Sequence, residues 1–396
     1  MKRLQAYWIS NKRIIVLALL SVLAVVSLLI YKLGSLNSGG LSYGEWRVAN
    51  TTNGWHGVYQ DPLYLPMTFL RSIVNLLASH HSQFITRLPS VIIGVLTIII
   101  FVWLIRLWHG TRTAILSTLL FATSAWVLHV SRLASFDVVY LMIIPALLLS
   151  VAALQRHANK PLVFYGSIMI WGALLYVPGT VWLIALTVFW ERKAIKQGWK
   201  HFSSLSERIL YILAGLIWLP LLAIDLARPS VSKLWLGIPE HLGTLHSFIA
   251  NFGSVFYHLL INGPRDASIW LSNAPILDIF TIVMTVLGVY FYITHWRVGR
   301  ARILLSYLVL GSIMISLGGQ VSLSLLVPLI YIFVATGVAY LIHDWLHIFP
   351  FNPFARTIGI SLIVLVIGLS CIYNLRSYFI AWPHNSLTQS TFHYRQ

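Results

Sequence analysis

The residues of this sequence best suited to chemistry are its acidic ones, because there are so few. Ten carboxylates stand against 27 lysines and arginines in 396 residues. A carboxylate can take or orient a proton in acid–base chemistry, and one placed near a bilayer is costly enough that it tends to have a task. Glu45, Asp61, Asp137, Glu240, Asp266 and Asp278 fall on one expected side of a membrane, with Asp225 near that side and only Glu191, Glu207 and Asp344 on the other. This clustering suggests a site at one face. Glu240 and Asp266 read more simply as solvated loop acids; Glu45, Asp61 and Asp137 are the candidates for function. Arg87 and Arg132 lie at the same interface, and a guanidinium fork suits phosphate, although an arginine at a helix end also snorkels for no chemical reason. His56, between Glu45 and Asp61, is a candidate metal ligand or proton carrier, against the commoner case of a loop histidine with no special role.

The elements that must position these groups are membrane helices. The chain is 58% hydrophobic and only 9% charged, with a mean hydropathy of +0.81; a soluble domain is nearer 25% charged. Apolar runs long enough to span a bilayer recur near 14–33, 88–108, 113–130, 137–154, 162–175, 179–190, 208–227, 276–295, 302–318, 321–342 and 357–375. The expected fold is therefore all-α: a polytopic transmembrane bundle of about eleven spans. The first run is long and has no small-residue cleavage site beside it, which favours an uncleaved signal anchor over a signal peptide. With the N-terminus cytoplasmic, 17 of the 27 basic residues map inside, as the positive-inside rule requires. Val177-Pro178-Gly179 is expected to break one apolar stretch into a helical hairpin.

This layout gives one membrane domain over 1–376, with long outer loops at 34–87 and 228–274 and a short extracytoplasmic tail at 377–396. Each long loop carries an amphipathic helix: Leu70, Ile73, Val74 and Leu77 share a face with Arg71 and Asn75 off it, and Leu242, Leu245, Ile249, Phe252, Phe256 and Leu259 recur at roughly heptad spacing. The net charge of +17 follows from basic residues flanking spans, so nucleic acid is not an expected partner. The single cysteine, Cys371, excludes a disulfide framework. His343 and His347 share a helical face but lack the glutamate of a zinc-peptidase motif.

Several stretches together resemble the GT-C glycosyltransferases that use polyprenyl-phosphate sugars, most of all the dolichyl-phosphate-mannose-protein mannosyltransferase and lipid A aminoarabinose transferase branch. SYGEWRVAN sits where that family has an acidic Asp-Glu motif in its first outer loop. QDPLYLPMTFL is similar to its Lys/His-Pro-Pro-Leu-Tyr motif before an amphipathic helix. The stretch from RLPSVIIG to SRLASFD resembles its Arg-x-Pro-Ser span, Gly-x-Arg turn and Ser-Arg-x-Ala-x-x-Asp, and SNAPILDIF is a weaker echo of a later span start. The likeness covers roughly residues 10–155 well and extends to 265–295. Two departures matter. The acidic pair reads Gly44-Glu45, and Gln60-Asp61-Pro62 has a carboxylate where a basic residue or histidine is common. Either the acid has moved to Glu45 or Asp61, or activity is altered or lost.

The resemblance implies transfer of a sugar from a polyprenyl-phosphate donor to an acceptor, a protein, lipid or glycan, by a single inverting displacement on the extracytoplasmic side of the plasma membrane. Under it, Glu45 is the first candidate for the base or acceptor-orienting carboxylate, Asp137 the second and Asp61 the third; Arg132 and then Arg87 are the candidates for the donor phosphate. The resemblance fixes no cofactor, and either positive charge or a divalent metal is expected where the leaving phosphate develops charge. Two other functions compete: a transporter or flippase for a lipid-linked precursor, which should show inverted repeats and ionisable residues deep in its spans, and a non-catalytic relative in envelope assembly, which Gly44 keeps in view.

Overall fold

A computed structural model describes residues 21–36, 40–51, 63–78, 82–157, 160–201, 221, 229–241, 243–271 and 273–394. His56, Asp61 and nearly all of the run expected at 208–227 lie outside them. The helices, in chain order, are α1 (Ser21–Ile30), α2 (Tyr43–Thr51), α3 (Leu65–Leu77), α4 (Gln83–His109), α5 (Thr111–Thr123), α6 (Ala125–Arg132), α7 (Asp137–His157), α8 (Pro161–Leu174), α9 (Thr180–His201), α10 (Pro229–Trp235), α11 (Leu245–Leu260), α12 (Ile279–Thr294), α13 (Gly299–Ser316), α14 (Leu326–Ile348), α15 (Pro353–Arg376) and α16 (Ser386–Thr391). The described residues form no strand, only an isolated antiparallel bridge between Leu41 and Tyr394.

The chain is a polytopic helical membrane protein. Among the described residues, five segments are long and apolar enough to cross a bilayer: α4, α7, α13, α14 with its leading turn, and α15 with the turn that extends it; α5 and α6 make a sixth if counted as one broken span. The expectation of an unbroken span over 113–130 is corrected here, because α5 and α6 bend by 61° at Ser124. The break is held from outside the pair. Ala125, the first residue of α6, donates its N–H to Asn374 Oδ1 at 3.1 Å, and Asn374 Nδ2 donates to Asp278 Oδ2 at 2.8 Å. Asp278 also caps α12 by accepting from the Thr281 N–H at 3.0 Å and receives the Ser370 hydroxyl at 2.8 Å. A half-buried carboxylate with several donors is thus used to join α6, α12 and α15. Its partners are distant in sequence, so a scan for prolines and glycines does not find the bend.

The stretch around Val177-Pro178-Gly179 does separate two helices, α8 and α9. Gly179 takes a positive φ of 80°, and its N–H is bonded to the Trp235 carbonyl. Elsewhere the bundle depends on small residues. α12 and α14 approach so closely that a Cβ at Gly288 would lie 2.0 Å from the Phe333 carbonyl oxygen, and one at Gly337 2.3 Å from that of Met284. In a bilayer, where apolar packing gains nothing over lipid contact, such close backbone approach supplies much of the helix association.

The amphipathic helix expected in the first long loop is α3, and it turns a mixed face to the protein. Met67, Thr68, Arg71, Ser72 and Val74 are buried, while Leu76 and Leu77 are 74% and 79% exposed. Arg71 therefore faces the protein and much of the apolar surface faces away from it. For a helix bordered by lipid, the apolar side has a satisfactory solvent outside, and it is the polar side that needs the protein.

Replacing Gly337 by Val should drive α12 from α14 and leave little monodisperse protein in size-exclusion chromatography. Gly368→Ala, at a helical position with open space around the added methyl, should run as wild type.

Candidate active site

The first candidate carboxylate, Glu45, begins from a local motif. Ser42 and Glu45 form a reciprocal capping box at the start of α2: the Glu45 N–H donates to Ser42 Oγ at 3.3 Å, and the Ser42 N–H to Glu45 Oε2 at 3.1 Å. Arg87, near the start of α4, then grips the same carboxylate with both arms of its fork. Its Nε donates to Oε1 and its Nη2 to Oε2, each at 2.8 Å. The Ala134 N–H adds a fourth bond, to Oε1 at 2.9 Å. Both side chains are nearly inaccessible, at 3% and 2% exposure. Arg87 also donates to the Leu33 carbonyl at 2.9 Å and the Gly40 carbonyl at 3.1 Å. One ion pair thereby joins the end of the first apolar helix, the first loop, α2, α4 and the link between α6 and α7.

Arg132 is used in a similar way. Its terminal nitrogens donate to the Leu28 carbonyl in the last turn of α1 and the Tyr31 carbonyl just after it, and its guanidinium lies 5.0 Å from the Tyr378 ring centre and 4.9 Å from that of Phe379. The two arginines expected at a phosphate thus direct donors to backbone carbonyls within the protein. His129, one turn before Arg132, is completely buried against Trp270, Tyr378 and Trp382, which ties α6 to the segment after α15.

Beside the Glu45–Arg87 pair is a cavity of about 920 Å³. Asp137, the first residue of α7, lines it together with Glu45, Gly44, Tyr64, Phe136 and Gln320, and the Ser135 and Ser322 hydroxyls stand beside the Asp137 carboxylate. The structure therefore brings Glu45 and Asp137 to one cavity. Asp266, read from sequence as a solvated acid, also lines it. Tyr64 caps α3 from a left-handed backbone conformation, φ 61°, uncommon for a bulky residue. Its ring stacks on Phe136 at 4.6 Å, and its hydroxyl meets that of Tyr140 at 3.3 Å.

Sequence reasoning missed Arg71. It is 4% exposed, and none of its three guanidinium nitrogens has a hydrogen-bond partner among the described residues. It lies 4.8 Å from the ring centre of Phe136, a residue of the cavity wall. Burial pushes its pKa down to about 9, partly offset by the nearby Glu45 charge, so it stays a cation at neutral pH. A buried charge without a partner is expensive, and in ordinary structures such groups are paired. The signal in the sequence was present: an arginine inside an otherwise apolar helix. The described residues hold no cluster of three or more metal-ligating side chains.

At Gly44, where a Cβ would meet only the Ser42 hydroxyl, at 4.0 Å, a side chain has room on the cavity wall. Removing one member of the buried pair should be far worse than its sequence context suggests. Glu45→Gln and Arg87→Met should each cost about 3–5 kcal/mol. The double variant should recover part of that loss in thermal unfolding in detergent, giving a large coupling energy.

The comparisons with known proteins bear on the fold. The family model described as dolichyl-phosphate-mannose-protein mannosyltransferase matches residues 65–226. No curated protein matches the sequence. The fold is similar to that of ArnT from Cupriavidus metallidurans in the apo state, with a TM-score of 0.54 at 11% identity over 95% of this chain and 76% of that one. It is also similar to an Archaeoglobus fulgidus oligosaccharyltransferase tethered with an acceptor peptide, with a TM-score of 0.54 at 14% identity over 92% of this chain and 55% of that one. ArnT bound to undecaprenyl phosphate superposes with a TM-score of 0.50 at 11% identity. The chain thus has the GT-C fold of these membrane proteins and resembles the mannosyltransferase and ArnT branch.

Proposed function

We propose that the protein is a membrane glycosyltransferase that moves a sugar from a polyprenyl-phosphate donor to an acceptor at the extracytoplasmic face of the plasma membrane. The observation that carries this reading is Asp137 on the wall of the cavity, with Arg71, a buried guanidinium unpaired among the described residues, behind the same wall. The mannosyltransferase family match and the solved ArnT complex with undecaprenyl phosphate support the donor class. The charge bias of the loops supports a cytoplasmic N-terminus and an extracytoplasmic C-terminus.

In this proposal Asp137 is the base. An acceptor oxygen or nitrogen forms a bond to the anomeric carbon as the bond from that carbon to the phosphate oxygen breaks. The electron pair leaves with the phosphate, the acceptor proton passes to Asp137, and configuration inverts. Arg71 faces the charge that develops on the leaving phosphate. Glu45 is a positioning residue. Its four accepted hydrogen bonds hold the cavity wall and leave it poorly placed to take a proton. Arg87 and Arg132 hold the outer loop and the first span in place around the donor. Asp61 remains a third candidate carboxylate, and His56 a candidate ligand should a divalent metal assist.

The test is transfer of radiolabelled sugar from polyprenyl-phosphate mannose, glucose and aminoarabinose to envelope extract by the purified protein. Asp137→Asn should abolish transfer while leaving the melting temperature near wild type; intact transfer by a folded Asp137→Asn protein would remove Asp137 from the chemistry. Gly44→Asp, which adds a carboxylate to open space on the cavity wall, should fold normally and raise the rate.

Arg71→Met should separate binding from stability. The variant should melt at or above the wild-type temperature, since an unpaired buried charge is removed. It should bind polyprenyl phosphate about tenfold more weakly, the loss expected for one charge-assisted contact.

A further inference from the structure

Three aromatic rings stand together where α2 meets the end of the chain. Tyr43 and Trp46 are stacked at 6.2 Å with their planes 23° apart. Tyr394 closes the group, 5.9 Å from Trp46 and 5.7 Å from Tyr43. The group is assembled by the bridge that pairs Leu41 with Tyr394 through two backbone hydrogen bonds of 2.9 and 3.2 Å. A Cβ at Gly40 would lie 2.1 Å from the Phe392 carbonyl oxygen, so the final segment seats closely on the first loop. Tyr43 is 56% exposed. It lines the cavity, as does Thr391 of the final segment.

We infer that Tyr43, Trp46 and Tyr394 form a platform on which a saccharide acceptor stacks at the mouth of the cavity. This inference rests on the glycosyltransferase reading and names the acceptor class for it. A pyranose presents an apolar face of C–H groups and a rim of hydroxyls. Clustered aromatic faces suit the first, since each offers a broad apolar surface with a polar edge. The second needs planar groups that accept or donate two hydrogen bonds at once, and the same cavity is lined by Asp137, Asp266, Arg47 and Gln320. A lipid acceptor would want an apolar groove in place of this rim. Aromatic residues of an interfacial belt present their rings to lipid headgroups; these three pack on one another, and Tyr43 lines the cavity beside its polar residues.

The test is saturation-transfer difference NMR on the full chain in nanodiscs, with mannotriose, maltotriose and a serine/threonine hexapeptide as probes. Binding of undecaprenyl phosphate is followed in parallel by native mass spectrometry. The expected result is saturation of saccharide C–H protons by the wild type, reduced about fivefold in Tyr43→Ala and in Trp46→Ala and restored in Tyr43→Trp. Saturation of the peptide in place of the saccharides, no saccharide signal, or full signals in both alanine variants would overturn the platform. If saccharide signals are missing while the lipid phosphate binds, the platform alone fails. If neither binds, the glycosyltransferase reading fails with it.

Discussion

The buried pair of Glu45 and Arg87 is the constraint on which the rest of this end of the molecule depends. Two opposite charges removed from water attract strongly, but their desolvation is nearly as costly. What makes the pair tenable is its complete hydrogen bonding. The carboxylate accepts from both arms of the guanidinium, from the Ala134 N–H and from the Ser42 N–H. Arg87 sends its remaining donors to carbonyls at Leu33 and Gly40. Each contact belongs to a different segment, so the pair sets where α2 lies relative to α4 and α7. The position of Asp137 on the cavity wall follows from that arrangement. So does the seating of the final residues, because Gly40 is at once a partner of Arg87 and the floor under Phe392.

The arginines of this end divide by what their donors meet. Arg87 and Arg132 donate to carbonyls at the ends of helices and in loops, and so act as structural ties. Arg71 donates to nothing among the described residues, although Phe136 covers one side of it. A bundle can hold such a charge when its helices pack firmly enough to resist rearrangement around it. The tight contact of α12 and α14 at Gly288 and Gly337 and the Asp278 hub that joins α6, α12 and α15 provide that rigidity. The geometry favours an anion as the missing partner, and phosphate is the anion that the proposed donor brings.

The polytopic helical class was legible from composition, and so were several single contacts. The Ser42-x-x-Glu45 spacing already specifies a capping box. Glu45 and Asp137, singled out as candidates from their types and placement, do meet at one cavity. Pro178-Gly179 marked a real break between α8 and α9. Other features were not legible. The bend at Ser124 is made by Asn374, hundreds of residues along the chain. The orientation of α3 was not legible, because the apolar stripe alone does not say whether it meets lipid or the bundle. Here part of that stripe faces outward, and Arg71 faces in.

Local chemistry therefore decided the class of fold, the helix ends and the candidate acids, because these depend on hydropathy and on hydrogen bonds within a few residues. Tertiary structure decided which acid is saturated and which lines open space, which arginine is tied and which is unpaired, and that the last residues help wall the cavity. Those properties depend on donors and rings contributed by segments far apart in the chain, and only the packed bundle brings them together.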